Sequence, residues 1–498
     1  MSRRASSIAF ARRGGAMPRR ARGSTLVVTM VVTMSMIPSA LGALDRGRMV
    51  DRWMDAARAR GGVDLARGVR PRSMDLARSV TGERHGLETD AAPVERGEAY
   101  ARVAWNETLH PSRYSTSDER GLGGVLSTMR SEYGEDEKTA LLLCLLYERF
   151  ELGTESAFRS YFRTMPEEFE TPAHWSPETV KELAGSDVYE RDIMEEFETV
   201  KKVWGALKKR VFDVHTDVFK KGAAKTLYAF RWAWAVVHAR ATRISGKSGL
   251  ALVPVIEMIR ECADTGDDGD VDDEGAEDGV DDAFAMYDPH ADEVVVYAKR
   301  DYAPREEICE RYGGWNNGEA VQHVGYLPNV HENSARNCVL LILEPDVRYV
   351  EKVRRAGYSV PFRVCMSFSA TDSSLDAFAA YAELADGREV DIGPGGIPRN
   401  VSKAAAKRIL EERLNRYPTT ADQDAAALST IQNAVNDFSR ALKNEDLAVF
   451  ERAQIEMKLR QSRHGELAVG LRIREKRILR ALIEKLSHAA REDVHDEL

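Results

Sequence analysis

Tyr312, Asn316, Asn317 and Asn333 fall together with several glycines between Arg300 and Cys338, in the stretch RDYAPREEICERYGGWNNGEAVQHVGYLPNVHENSARNC. Glu307 to Tyr312 has β character and follows a Pro304–Arg305 turn, which predicts Tyr312 at the end of a strand beside Gly313 and Gly314. A hydroxyl so placed can be aimed into a cleft, and the glycines let backbone approach a ligand closely. Glu319 opens a short amphipathic helix, followed by Gly325–Tyr326 and a second loop with Asn333. This set suits the holding of a small polar ligand against backbone. It is also the composition of a surface hairpin with its turn residues, and the residues alone leave both readings open.

The elements that would position this stretch lie on either side of it. MVDRWMDAARARGGVDL, from Met49, reads as a short helix ending at Gly61–Gly62. Glu135 to Tyr228 is helical; EKTALLLCLLYERF, residues 137–150, is apolar nearly all round and predicts a buried helix. Ser176–Pro177–Glu178 supplies an N-cap, a proline at the first helical position and an early acid. Thr226 caps a further helix on which Phe230, Trp234 and Val237 share a face, with Arg240 at its inner edge. LALVPVIEMI, Leu250 to Ile259, predicts a buried strand, and EVVVYA another. Beyond Val339–Leu343 a second domain is expected, with helical patterns over 372–385, 401–416 and 420–486.

Composition narrows the classes. A chain of 498 residues, 43% hydrophobic and 30% charged, is expected to hold two to four soluble domains. A net charge of −9 argues against nucleic acid as the default partner. The five cysteines show no paired spacing, so reduced, buried thiols are expected rather than a metal site or a disulfide framework. Residues 261–282 hold twelve Asp or Glu with several glycines, which predicts a solvated acidic loop; Asp270 to Gly275 fits a calcium loop poorly. No acidic residue precedes Asp45, while seven arginines occur in the first 22 positions. Residues 1–44 are therefore expected to be a targeting peptide, and the apolar run Leu26–Ile37 is too short for a confident membrane span.

Taken in order, Glu306–Glu307–Ile308, Tyr312–Gly313, Asn317, Glu319, Gly325–Tyr326 and Asn333 resemble the end of a SET domain of the Rubisco large-subunit methyltransferase-like family. SAFRSYFRTMPEEFETPAHWS, Ser156 to Ser176, resembles that family's signature within a helical insert. RYPTTADQDAAAL and HGELAVGLRIREKRILRALIEKL resemble its C-terminal substrate-binding domain, with Arg472, Glu475 and Lys476 fitting the pattern and His464 standing at or beside an arginine position. The resemblance covers about residues 50 to 486. It implies an α+β fold: a SET-domain β-sheet fold over 50–338 with an inserted helical subdomain at about 120–245 and the acidic loop 261–282, then an all-α substrate-binding domain over 340–490.

The resemblance further implies S-adenosylmethionine (SAM) as cofactor, Tyr312 as the catalytic tyrosine, and Gly86, Leu87 and Arg240 near the cofactor. Where the family has Asn-His after its strand, this chain has Arg260–Glu261. Either cofactor affinity is weakened there, or Arg260 pairs with the SAM carboxylate while Glu261 accepts from the adenine amine. The expected activity is protein-lysine N-methylation of a folded protein by a monomer, with no metal; the alternative is a SET-derived scaffold protein that has lost catalytic power. The arginine-rich start places the expected site of action in a chloroplast, the stroma first, with the thylakoid lumen or another organelle as alternatives.

Overall fold

The computed structural model describes residues 46–66, 68–73, 85–114, 121–134, 136–166, 169–261, 285–310, 315–327, 334, 336–392, 398–399, 401–444 and 446–496. The expected targeting peptide, nearly all of the acidic loop with its calcium-like run, and Tyr312 with its two glycines lie outside them. Helix α1 (Arg46–Ala59) buries Val50, Trp53, Met54 and Ala57, one stripe at helical spacing, in the same apolar core as two four-stranded sheets. The strands are β1 (Val63–Leu65), β2 (Val69–Ser73), β3 (His85–Thr89) and β4 (Ala99–Ala104). The strands that complete the sheets come after a long helical excursion.

That excursion runs through α2 (Leu122–Tyr133), α3 (Glu137–Leu146), α4 (Arg159–Phe162), α5 (Pro177–Lys181), α6 (Met194–Leu207) and α7 (Leu227–Arg240). Residues 140–146 of α3 are all buried, as their unbroken apolar run requires, and Asp136 caps the helix by accepting from the Thr139 amide at 2.7 Å. Ser176 and Thr226 cap α5 and α7 as the sequence predicts. Trp232 and Phe230 of α7 share one apolar core with Leu87, Tyr100 and Val294 of the sheets, so the excursion packs on the strands.

After α7 come β5 (Thr242–Arg243) and β6 (Leu250–Ala251), then β7 (Arg260–Glu261), β8 (Ala285–Asp288), β9 (Glu293–Tyr297), β10 (Glu307–Glu310) and helix α8 (Asn317–Val324). One sheet has the order β1-β4-β9-β8 and the other β2-β3-β10-β7, in which β10 and β7 are parallel. The continuous strand expected over Leu250–Ile259 does not form. Pro254 has no N–H to give a ladder, and Val255 adopts φ 79°, ψ −51°, a γ-turn backbone that leads into a short 3-10 turn over Ile256–Met258. The run is apolar because it is buried, not because it is extended.

The C-terminal part contains β11 (Cys338–Leu343), α9 (Val350–Arg355), β12 (Phe362–Ser367), α10 (Asp372–Ala385), β13 (Asp391–Ile392), β14 (Pro398–Arg399), α11 (Lys403–Arg416), α12 (Ala421–Ala441) and α13 (Val449–Asp496). The pattern expected as one helix over 420–486 is thus two. The break is polar: the Asp446 amide donates to Asn444 at 3.1 Å, and Arg452 donates to the Leu442 and Asn444 carbonyls at 3.1 and 2.8 Å, closing the end of α12. No helix of the described residues is long and apolar enough to cross a membrane.

Buried polar groups join this part to the helical excursion. Asp424 pairs with Arg472 at 2.7 Å and Lys476 at 2.6 Å and accepts from Thr419 at 2.6 Å, while Arg472 also reaches Glu182 at 2.7 Å. Beside it Glu475 accepts from Tyr417 at 2.7 Å and from Ser186 at 3.0 Å, and burial pushes its carboxyl up to about 7. Arg413 pairs with Asp187 and donates to the Ile342 carbonyl at 2.6 Å; the Ile342 amide in turn donates to Asp187 at 2.7 Å. His464 stacks on Trp175 with centroids 5.3 Å apart, and burial holds its pKa down at about 3.

The cysteines differ from expectation. Cys338 and Cys365 form a disulfide between β11 and β12, with Cα atoms 5.4 Å apart, and Cys309 is also disulfide-bonded; Cys144 is a buried thiol, as expected. Spacing along the chain carries no trace of a register in which residue 338 lies diagonal to residue 365 across the antiparallel β11–β12 pair.

Candidate active site

Four of the residues singled out in the sequence meet in the β2-β3-β10-β7 sheet. Gly86 and Leu87 lie in β3 rather than in a loop, where Leu87 faces Ile308 of β10 and Pro71 of β2. The Leu87 side chain is fully buried in the core, so only its backbone can meet a ligand. Arg260 and Glu261 form β7, in parallel register with Cys309 and Glu310. β10 is described as far as Glu310, two residues before Tyr312, whose own placement lies outside the described residues. Strands β3 and β7 therefore flank the strand that leads to it.

Strand β10 is held from behind. The Tyr302 hydroxyl donates to the Cys309 carbonyl, and Arg300 lies over the Tyr302 ring at 4.3 Å while pairing with Glu306 at 2.7 Å. Thr89 accepts the Glu306 amide at 2.9 Å, which pins the turn that starts the strand. The expected strand over 307–312 is described from Glu307 to Glu310.

The asparagines serve the frame. Asn316 caps α8 by accepting from the Gly318 and Glu319 amides, each at 3.0 Å, and the Glu319 carboxylate accepts the Asn316 amide at 3.2 Å. Asn317 is fully buried; it donates to Asn337 at 3.0 Å and to the Cys338 carbonyl at 3.4 Å, and accepts from Arg474 of α13 at 2.9 Å. It thus joins the two halves of the chain. Gly325 ends α8 with φ 72°, and a Cβ there would come within 2.2 Å of Glu170, so glycine alone fits. Asn333 lies outside the described residues.

Arg240 is the last residue of α7 and sits 5.4 Å from the centre of the Phe169 ring, on the excursion rather than on the sheet. Against the last turn of α8 stand groups that the sequence reading did not single out. Glu196 accepts from Trp234 of α7 at 2.9 Å and from Gln322 of α8 at 3.0 Å. His238 stacks on Trp234 at 4.3 Å and bonds the Trp234 carbonyl at 2.9 Å; burial lowers the pKa of both His238 and His323, which favours neutral imidazoles. Val255 was also missed. Pro254 inside an apolar run was the signal for it. A β-branched residue held at positive φ is a costly conformation, and here it turns the chain into β7.

This pair of sheets, interrupted by a helical excursion and followed by a helical C-terminal part, is the SET-domain fold of the Rubisco large-subunit methyltransferases. Residues 395–479 match the Rubisco LSMT substrate-binding family. The solved SET domain of LSMT bound to lysine and AdoHcy superposes with a TM-score of 0.60 at 18% identity, over 90% of this chain and 92% of that one. Rubisco LSMT bound to sinefungin and monomethyllysine gives 0.59 at 19% identity, over 89% and 92%. Among curated proteins, the chain is 22% identical over 344 residues to an actin-histidine N-methyltransferase of Callithrix jacchus and 21% identical to that of Homo sapiens, covering 66% of this chain in each case. It spans about half the length of these relatives, 54% of each.

Proposed function

We propose that the chain is a SAM-dependent protein N-methyltransferase of the SET type that modifies lysine side chains of a folded protein. The observation that carries this reading is the sheet, where β3 with Gly86 and β7 with Arg260–Glu261 border the strand leading to Tyr312. The residues fit the cofactor. Among the described residues β7 is a sheet edge, so it has backbone groups to offer, and an arginine with a glutamate would provide a cation for a carboxylate and an acceptor for an amine. Gly86 removes a side chain where the backbone of β3 would face a ligand. SAM, when bound, supplies an electrophilic methyl on a sulfonium.

The protein's part is alignment. A lysine amine has a reference pKa of about 10.4, so the site must favour its neutral form, through desolvation and dipoles that do not stabilise the ammonium. The Tyr312 hydroxyl would orient the amine lone pair at the methyl carbon, and Gly313–Gly314 would admit backbone close to it. The helical C-terminal part, carrying the substrate-binding match, would hold the protein substrate. We assign the chain to a plastid on its acid-free, arginine-rich start.

Titration with SAM, followed through the seven tryptophans, tests the cofactor; incubation with labelled SAM and plastid protein extract, followed by mass spectrometry, tests transfer. Saturable SAM binding and label on lysine are expected. Label on histidine would replace the acceptor, and no SAM binding would overturn the reading.

A further inference from the structure

On the face of the molecule formed by the β1-β4-β9-β8 sheet, an ammonium lies against two aromatic rings. Lys247 Nζ is 3.7 Å from the centre of the Tyr287 ring and 4.7 Å from that of Trp105. The rings meet edge to face, 5.3 Å apart at 67°, and the His110 ring centre stands 5.2 Å from that of Trp105. This corner is built. Asp292, at φ 53° in the turn between β8 and β9, accepts the Tyr287 hydroxyl on its carboxylate at 2.6 Å and the Trp105 amide on its carbonyl at 2.9 Å, so one residue fixes both walls.

Lys247 belongs to the tip between β5 and β6, in the slim sequence Ser245-Gly246-Lys247-Ser248-Gly249. Ser245 ties the tip to β8, its amide donating to Ala285 at 3.0 Å and its carbonyl accepting from Tyr287 at 2.9 Å; the Ser248 carbonyl meets His110 at 2.9 Å. Trp105, Tyr287 and Lys247 are each only partly buried, so the corner opens to solvent. No carboxylate of the described residues lies within ion-pair distance of Lys247; the two ring faces are its contacts.

A primary ammonium is compact and strongly hydrated, and it gives up hydrogen bonds to water when it lies on a ring face. A methylated ammonium keeps the charge, sheds most of those donors and presents methyl groups, so it gains more from the same two faces. The corner is thus better matched to a methylated ammonium than to the lysine that fills it. We propose that Trp105 and Tyr287, with His110 beside them, form a binding site for the methylated ammonium of a protein's di- or trimethyl-lysine, and that Lys247 closes this site from within the chain. The site does not depend on SAM, and it stands or falls separately from the methyltransferase reading. Together, the two would let the chain retain proteins that carry the group it is proposed to make.

The test uses the full chain and calorimetric titration with a short peptide bearing trimethyl-lysine, the same peptide unmethylated, and choline. Lys247→Gln removes the resident cation from an exposed tip, and Lys247→Arg keeps one. The expected result is that Lys247→Gln prefers the trimethylated over the unmethylated peptide by roughly 10-fold, the scale of a desolvated cation–π contact. Wild type and Lys247→Arg should bind it more weakly than Lys247→Gln. Tyr287→Leu and, if it folds, Trp105→Leu in the Lys247→Gln background should abolish the preference. Binding without preference for methylation, or a preference that survives Tyr287→Leu, overturns the proposal. Choline binding as tightly as the peptide overturns the assignment to protein lysine.

Discussion

Removing one oxygen tests the assignment of Tyr312 most directly. If Tyr312 is the catalytic tyrosine, Tyr312→Phe keeps the ring and deletes only the hydroxyl that would orient the amine, so turnover is expected to fall by roughly 100-fold or more. SAM affinity should change far less, because the hydroxyl would act on the incoming nitrogen and the transferred methyl. Turnover equal to wild type would move the active site elsewhere. A companion change, Arg260→Asn with Glu261→His, restores the pair found in the family. If the present pair is the weaker cofactor contact, SAM binding tightens by titration; if Arg260 and Glu261 hold the carboxylate and adenine themselves, it loosens. At this scale the sequence showed which residues could carry chemistry but not how the frame would use them. Asn316 and Asn317 look like ligand contacts in a string of letters, yet one caps α8 and the other reaches Arg474, a residue 157 positions away. The turn at Val255 was marked in the sequence by Pro254 alone, because an apolar run has the same composition whether it is extended or folded back.

Among elements, the contact of α13 with the excursion carries a pH signature. The Glu475 carboxyl is buried and pushed up to about 7, whereas in the unfolded chain it titrates near 4.5. The folded protein therefore holds this proton over a range in which the unfolded chain has lost it. Glu475 thus contributes stability that is present below about pH 4.5, declines as pH rises, and is gone above about 7, a change of roughly 3 kcal/mol at about 1.4 kcal/mol per pH unit. Glu475→Gln still accepts from Tyr417 and Ser186 and should flatten that part of the denaturation profile. An unchanged slope between pH 4.5 and 7 would show that another group carries it. The motif letters Tyr417, Thr419, Asp424, Arg472, Glu475 and Lys476 were visible in sequence, but their role as one buried contact with Ser186 and Glu182 was not, because pairing across about 290 residues leaves no local pattern. Helices with unbroken periodicity were legible; α10, for example, is expected and found over 372–385.

For the molecule as a whole, the β11–β12 disulfide ties residues 27 apart in sequence, and a cross-link of that span removes about 3.5 kcal/mol of chain entropy from the unfolded state. Cys365→Ser, or reduction of the wild type, should lower the melting temperature by several degrees. Coincident melting curves with and without reductant would count against the bond. The other whole-chain prediction concerns the start of the chain: if its arginine-rich start is a targeting peptide, the mature protein should lack about its first 40 residues, as terminal sequencing of native material would reveal, while an intact Ser2 start would contradict it. Asn317 has one more consequence, in the chemistry of ageing. It precedes Gly318, and an asparagine followed by glycine is prone to lose its amide when the glycine nitrogen attacks the side-chain carbonyl. In the folded chain that nitrogen donates to Asn316 at 3.0 Å, and the Asn317 amide is held by Asn337 and Arg474. The fold thus shields the bond. A molecule that spends time unfolded would return with a carboxylate at 317, still able to meet Arg474 but with nothing to donate to Asn337 or Cys338. Peptide mapping of protein stored folded and stored in denaturant should find deamidation at residue 317 in the second sample alone; equal deamidation in both would mean the joint offers no protection.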